Sequence, residues 1–407
     1  MTARLPSSLV CLTTSSALGG AETTLLTLLT ALQALDRSRR ITIVTPGTGP
    51  LPDRCRTVGF DLVELPFPAA LSRLGESGAT SQRGAAVNRG RLAVTALRAG
   101  IALPGYLRSL KAVMRRANAT VVHSNGLKAH VAAALVKPAG ARLVWHLHEY
   151  VSGRPLTARL LRRLAGRADV VVANSDSVLR DAATVIGSRT TMRRIHNAVD
   201  PAIFCPEGAP LDLAALSGLA PDRGLVRIGL VSTFARWKGH EVFFDAIGRL
   251  RTRHAVRAYV IGGAVYETAG SQWSPAELAA MVAVRGLTDI IGFTGHVDDV
   301  PAALRSLDIV VHASTEPEPF GMVIAEGMAA RRAVVVARAG GAAELFRDRV
   351  DAIGYTPGDA AELADRLEEL VVDAVRRETI AASARSTAID RFSPERMAQA
   401  FREAYAG

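Results

Sequence analysis

Ten short apolar runs punctuate the chain, at 8–12, 41–45, 120–123, 142–146, 170–174, 227–231, 258–261, 290–294, 309–312 and 333–337, and the stretches between them read as helices. A run that is apolar at every position has no face to offer to water and must be covered on both sides. That is the environment of a strand in a parallel sheet, whose neighbours are joined by helical crossovers. Five runs in each half predict an α/β chain of two doubly wound units. The length of 407 residues agrees, since single cores seldom grow past about 250–300 residues. Residues 200–224, rich in Pro, Gly and Asp, read as a linker. The expected division is 1–205, 206–390 and a final segment 391–407, whose helix opens at Ser393-Pro394 with a cap and a first-turn proline.

Composition narrows the class. Cys11, Cys55 and Cys205 are odd in number and widely spaced, which suggests neither a disulfide framework nor a zinc site. The apolar stretch near the N-terminus is too short for a signal peptide, and no window is long and apolar enough for a membrane span, so a cytoplasmic location is expected. The net charge of +11 is uneven: residues 66–168 hold 17 Lys and Arg against two acids, Glu76 and Glu149. Such a field favours an anionic partner. Residues 93–117 mix apolar positions with Arg98, Arg108, Lys111, Arg115 and Arg116, a pattern shared by interfacial helices and by ordinary arginine-rich surface helices. No aromatic-interleaved basic motif accompanies the charge, so nucleic acid is not the expected partner.

One stretch concentrates the chemistry. In EPEPFGMVIAE, at 316–326, the prolines at 317 and 319 keep Glu318 out of a regular helix and place it in a strand-to-helix turn. Phe320, Gly321 and Met322 then offer backbone N–H groups at a helix start, an anion site, and Glu326 lies about two turns further on. Two carboxylates that accept from hydroxyls, around a helix start that meets a phosphate, suit a sugar nucleotide. As a structural feature alone, the stretch would be two solvated glutamates and a buried Phe. A second patch, VSTFARWKGHEVFFDAI at 231–247, puts Arg236 and Lys238 after a strand, where they could neutralise a diphosphate. Gly19-Gly20 follow the first strand and Gly262-Gly263 a later one, turns through which backbone approaches a ligand, although the G-x-G-x-x-G dinucleotide pattern is missing. His146, His148 and Glu149 lie at the carboxyl end of a buried strand, His123 holds an equivalent place, and Asn197 ends another run. A metal site lacks a further ligand; a neutral His148 that hydrogen-bonds a hydroxyl is the preferred reading.

Taken together, these residues resemble, over nearly the whole chain, the family-4 glycosyltransferases of the GT-B fold. GGAE at 19–22, HSNGLKAH at 123–130, HEY at 148–150, HNAVD at 196–200, WKGHEVFFDAI at 237–247, GFTGHVDDVPAAL at 292–304 and EPFGMVIAEGMA at 318–329 match successive landmarks. The last is the family's E-x7-E motif. The resemblance implies two Rossmann-like doubly wound domains facing across a cleft, the first binding the acceptor, the second the donor, and a final helix that crosses back to the first. It implies transfer of a hexosyl unit from a UDP- or GDP-linked sugar to a hydroxyl acceptor, with retention of configuration, and neither cofactor nor metal. On this reading His148, Glu318, Lys238 and Arg236 serve the reaction, with Glu318 on the transferred sugar and Lys238 on the diphosphate. Gly20, Gly262, Gly263, His296, Val297, Phe320, Gly321, Met322, Val323 and Glu326 bind the donor, Glu326 at the ribose. Gly19, His123, Asn125, Glu149 and Asn197 are candidates on the acceptor side.

Two departures from the pattern stand out. Five residues before Lys238 the family has Arg and this chain has Thr233, so Arg236 is the nearest replacement. After the motif helix, residues 330–333 lack a glycine and a proline, a local change in a loop. A sugar-nucleotide epimerase could share the fold, but the E-x7-E motif favours transfer; a non-catalytic nucleotide-sugar-binding protein is encouraged only by Thr233. The basic first domain suggests a glycan or lipid-linked acceptor at an anionic membrane surface.

Overall fold

The computed structural model describes residues 8–69, 85–187, 190–264 and 270–406. They form two compact units: the residues up to Asn197 together with the helix Pro394–Ala406, and Ala198–Ser393.

In the first unit seven strands form one parallel sheet: β1 (Ser8–Thr13), β2 (Arg40–Thr45), β3 (Asp61–Glu64), β4 (Val121–Asn125), β5 (Arg142–Leu147), β6 (Val170–Ala173) and β7 (Thr191–Arg194), in the order β3-β2-β1-β4-β5-β6-β7. The central β1 is buried at all six positions, as its unbroken apolar run requires. Side chains alternate between the two faces. Val122, Leu143, Trp145 and Val171 pack with Leu161 and Val178 from the crossover helices. Across β5, the helix Pro394–Ala406 brings Phe401 within 4.9 Å of the His146 ring, and Arg142 Nε donates to the Ala404 carbonyl at 2.8 Å.

In the second unit six strands are again all parallel: β8 (Val226–Val231), β9 (Val256–Ile261), β10 (Ile291–Gly295), β11 (Ile309–His312), β12 (Ala333–Ala337) and β13 (Ile353–Tyr355), in the order β10-β9-β8-β11-β12-β13. The direction of strand progression reverses between β1 and β4 in one sheet and between β8 and β11 in the other. Ligands of doubly wound sheets bind at the carboxyl ends of the strands at such a switch point.

Three expectations change. Residues 200–224 do not hang between the units: Leu213 packs in the second core with Tyr259 and Leu307, Leu211 and Leu219 lie against it, and a short helix, Leu213–Ser217, forms there. Leucines at this spacing gain more from burial than a polar tether would. β3, β7 and β13 were not among the apolar runs; the first two are half-exposed edge strands, the third only three residues long. The basic stretch lies in the helix Ala85–Arg116, where Tyr106, Leu110 and Met114 are buried while Arg108, Lys111, Arg115 and Arg116 point to solvent. These three apolar side chains serve the core. The first seven residues and 70–84, part of the basic region, lie outside the described residues. Among the described residues no helix is long and apolar enough to cross a membrane.

Candidate active site

The second unit assembles its polar groups where β8 and β11 end. β8 leads into a short turn, Arg236–Lys238, which closes at Gly239 before the helix His240–Leu250. Gly239 has φ +74°, and a Cβ built there would come 1.9 Å from the carbonyl oxygen of Ala313, just beyond β11. Only glycine lets the two strand ends come this close. Gly262 plays the same part beside β9: its φ is +138°, and a Cβ would meet the Ser232 carbonyl at 2.0 Å.

The close approach brings Lys238 to Glu318. Nζ lies 2.6 Å from Oε1, with side-chain exposures of only 16% and 11%. The ammonium also sits 4.0 Å above the centre of the Trp237 ring. The other carboxylate oxygen, Oε2, accepts hydrogen bonds from Ser314 Oγ at 2.6 Å and from His312 Nε2 at 2.8 Å. Burial alone would raise the Glu318 carboxyl; the Lys238 charge and the His312 hydrogen bond overcome it and hold the group well below the usual carboxylate range. The Glu318 backbone is fixed as well, its carbonyl accepting from Gly341 N–H at 2.7 Å.

Gly321 caps the helix Met322–Ala329 with φ +91°. Phe320, just before it, turns its ring into the core edge-on to Phe392, and Met322 and Val323 pack against the same core. Glu326 lies on this helix, half-buried, its carboxylate with no ion-pair or hydrogen-bond partner among the described residues, and burial pushes its carboxyl up to about 7. Gly263 lies beside His296, whose side chain is exposed near Asp298, and Val297 packs onto the core. Arg236 is committed elsewhere: its guanidinium stacks 3.6 Å over Trp273, donates to Gly270 O at 3.0 Å and pairs with Glu277. Trp237, His312, Ser314 and Gly341 were not singled out from sequence. The signal was there for two of them, since His312 is a polar residue ending a buried strand and Ser314 follows just after it, six and four positions before Glu318.

The first unit gathers its own polar residues at the ends of β1, β4 and β5. Gly19 precedes the helix Gly20–Leu35, and its N–H donates to Glu22 Oε2 at 3.2 Å. His148 Nε2 lies 2.7 Å from Asn125 Oδ1; that oxygen can only accept, so the imidazole carries its proton on Nε2. Burial lowers the His148 pKa to about 3, so the ring is neutral at ordinary pH. Glu149 pairs with Arg154 at 2.6 Å, and Asn197 is buried beyond the end of β7. His123 is a correction of place: β4 runs two residues past it, so it lies in mid-strand, fully buried, its Nδ1 2.8 Å from the Tyr405 hydroxyl. His146 is likewise inside β5, its ring 4.0 Å from that of His148.

Comparison with known proteins accords with this geometry. Residues 18–203 match the model described as Glycosyltransferase Family 4, and residues 226–373 that described as Glycosyl transferases group 1. The chain is 37% identical over 186 residues to a lipopolysaccharide core biosynthesis mannosyltransferase, LpcC, of Rhizobium leguminosarum bv. viciae, covering 45% of this chain and 49% of the relative. It is 31% identical over 259 residues to a D-inositol 3-phosphate glycosyltransferase of Salinispora arenicola, covering 58% and 55%. The chain thus spans about half the length of the curated relatives it matches. In fold it is similar to HepE of Anabaena solved in complex with UDP, with a TM-score of 0.78, 24% identity and coverage of 98% of this chain and 99% of that one. Sucrose-phosphate synthase from Thermosynechococcus elongatus follows at a TM-score of 0.74 and 17% identity, covering 98% of each. Two parallel sheets with their switch points, and family matches that between them span most of the sequence, lead to one assignment: the chain belongs to the group 1 and family 4 glycosyltransferases and has the GT-B fold.

Proposed function

We propose that the protein transfers a hexosyl unit from a UDP- or GDP-linked sugar to a hydroxyl acceptor, with retention of configuration and without a metal ion. The observation that carries this reading is the buried Lys238–Glu318 pair beside a helix that bears the partnerless Glu326. Lys238 is the group that stabilises the departing diphosphate, together with backbone N–H groups at Phe320, Gly321 and Met322. Glu318 accepts hydrogen bonds from the transferred sugar, and Glu326 from the ribose. Gly20 and the Gly262-Gly263 turn let backbone approach the donor. The acceptor hydroxyl attacks the anomeric carbon on the face the diphosphate leaves, and a phosphate oxygen takes its proton. His148, neutral and protonated on Nε2, is a hydrogen-bonding group and not the base. The relatives' names, a lipopolysaccharide core mannosyltransferase and inositol phosphate glycosyltransferases, together with HepE solved with UDP-glucose, support a sugar-nucleotide donor and a glycan or lipid-linked acceptor.

Arg108, Lys111, Arg115 and Arg116, exposed along one helix, favour an anionic membrane surface at the cytoplasmic face as the place where that acceptor is met. With Tyr106, Leu110 and Met114 buried beside these cations, the attraction in this part of the helix is electrostatic and not insertion. Co-sedimentation with anionic liposomes that falls with salt checks this; equal binding to neutral liposomes counts against it.

Thermal shift against UDP-, GDP- and other nucleotide-linked hexoses, without added metal, tests the main reading. A ligand that binds only the folded state raises the melting temperature by mass action. One donor should give a selective shift that Glu326→Ala abolishes. No shift from folded protein with any donor would move the assignment to a non-catalytic binding protein, and conversion of donor alone into a second sugar nucleotide would move it to an epimerase.

A further inference from the structure

His312 and Ser314 have no part in the roles assigned above, yet both direct their hydrogen bonds to one atom. Ser314 Oγ and His312 Nε2 donate to Glu318 Oε2 at 2.6 and 2.8 Å, and both residues are all but sealed from water, at 1% and 3% exposure. An ionised carboxylate only accepts, so the His312 proton must sit on Nε2 and the Ser314 hydroxyl hydrogen must point at Oε2. The tautomer has a cost: His312 Nδ1 is left buried without a hydrogen-bond partner among the described residues. A histidine that only filled space would be replaced by an apolar ring at no loss. The Glu318 main chain is fixed too, by its hydrogen bond from Gly341 and the prolines at 317 and 319. The carboxylate is therefore held through Oε2, while the other oxygen, Oε1, faces the Lys238 ammonium.

We propose that His312 and Ser314 are positioning residues for the sugar-binding carboxylate: they hold Oε2 so that Oε1 exchanges Lys238 for a hydroxyl of the transferred sugar when the diphosphate draws the ammonium away. This rests on the donor-binding role proposed for Glu318. Its consequence is a division of labour. The nucleoside diphosphate is bound by Lys238 and the helix start whether or not Glu318 is oriented, whereas the sugar is placed only if it is.

The variants are His312→Phe, His312→Gln and Ser314→Ala, with Glu318→Ala as the reference. The probes are UDP and UDP-glucose, GDP and GDP-mannose, each followed by binding and by donor turnover. His312→Phe and Ser314→Ala should bind UDP or GDP within about twofold of wild type but lose roughly 10- to 100-fold in turnover of the sugar nucleotide, the scale expected of a misplaced contact. His312→Gln, which keeps an N–H near the Nε2 position, should recover most of it; a purely structural role would not show this split or this rescue. Imidazole 15N NMR of the wild-type protein, which needs no donor and no variant, should find His312 protonated at Nε2. A proton at Nδ1, or a folded His312→Phe that keeps wild-type turnover while Glu318→Ala is impaired, overturns the inference. If no donor binds, or Glu318→Ala is itself without effect, the proposed function falls and this inference with it.

Discussion

Lys238 and Glu318 lie 80 positions apart in sequence and meet at 2.6 Å, in the turns that follow the two strands flanking the switch point of the second sheet. Neither side chain is more than 16% exposed, so each charge is compensated mainly by the other. Removing one partner of such a pair strands the other in a poorly solvated place, which typically costs about 3–5 kcal/mol. Lys238→Met should therefore lower the melting temperature as well as turnover, the latter by about 10²–10³ if the ammonium stabilises the leaving group. The double variant Lys238→Met/Glu318→Gln should restore much of the stability and none of the activity. Calorimetry and donor turnover on the three proteins decide it: a Lys238→Met protein with wild-type turnover removes the lysine from the mechanism.

Glu326 has the opposite environment. Its carboxyl is pushed up to about 7 by burial, with no cation to oppose it. Unfolded, the group titrates near 4.3. Between those values the folded chain retains a proton that the unfolded chain has released, so the contribution to stability is full below about pH 4 and is lost as pH rises through 7. Glu326→Gln should remove that loss: equal melting to wild type at pH 4, and a higher melting temperature at pH 8, by an amount on the order of 1 kcal/mol after allowance for its partial exposure. The same change should weaken donor binding. Stability and affinity moving in opposite directions mark a ligand-binding carboxylate; a Gln variant that loses both would place Glu326 in the scaffold.

The first unit carries four imidazoles close together: His123 and His148 with pKa values of about 3, His130 and His146 held well below the ordinary range, all through burial. An unfolded chain protonates these near 6.5. Their contribution to stability is present above that value and is lost as pH falls from 6.5 toward 3, each site adding a slope of about 1.4 kcal/mol per pH unit within the window. Melting of the wild type between pH 7 and 5 should be steep, and His146→Leu, which removes a ring with neither nitrogen hydrogen-bonded, should make it shallower. Parallel pH profiles for the two proteins would mean that the cluster is not what destabilises the fold in acid.

Much of this was legible in the sequence, for physical reasons. Strands buried on both faces advertise themselves as apolar runs, which is why β1 and β12 could be read directly. β3 and β7 could not, because an edge strand such as Asp61–Glu64 is half-exposed and carries too few apolar residues to form a run. The glutamates at 318 and 326 were readable because prolines and a glycine around them dictate the turn. His312 and Ser314 were not, since a polar residue at or just past the end of a buried strand gains its meaning from what the next loop folds back onto it. Arg236 shows the limit of proximity along the chain: two residues from Lys238, it is held by Trp273 and Glu277.

Gly239 offers a test of how backbone geometry serves the lysine. It and Gly218 both adopt the left-handed conformation, with φ +74°, ψ +32° and φ +69°, ψ +19°. A Cβ at Gly218 would meet nothing within 4 Å, whereas at Gly239 it would lie 1.9 Å from the Ala313 oxygen. Gly218→Ala should therefore show the conformational cost alone, about 1 kcal/mol. Gly239→Ala adds a clash that can be relieved only by moving the Arg236–Lys238 turn away from the end of β11. That movement separates Lys238 from Glu318, so this variant should lose donor binding as well as a larger share of its stability. Melting temperatures and donor binding of the two alanine variants are the measurements. Equal losses in both would mean that the close approach of β8 and β11 is not what assembles the pair.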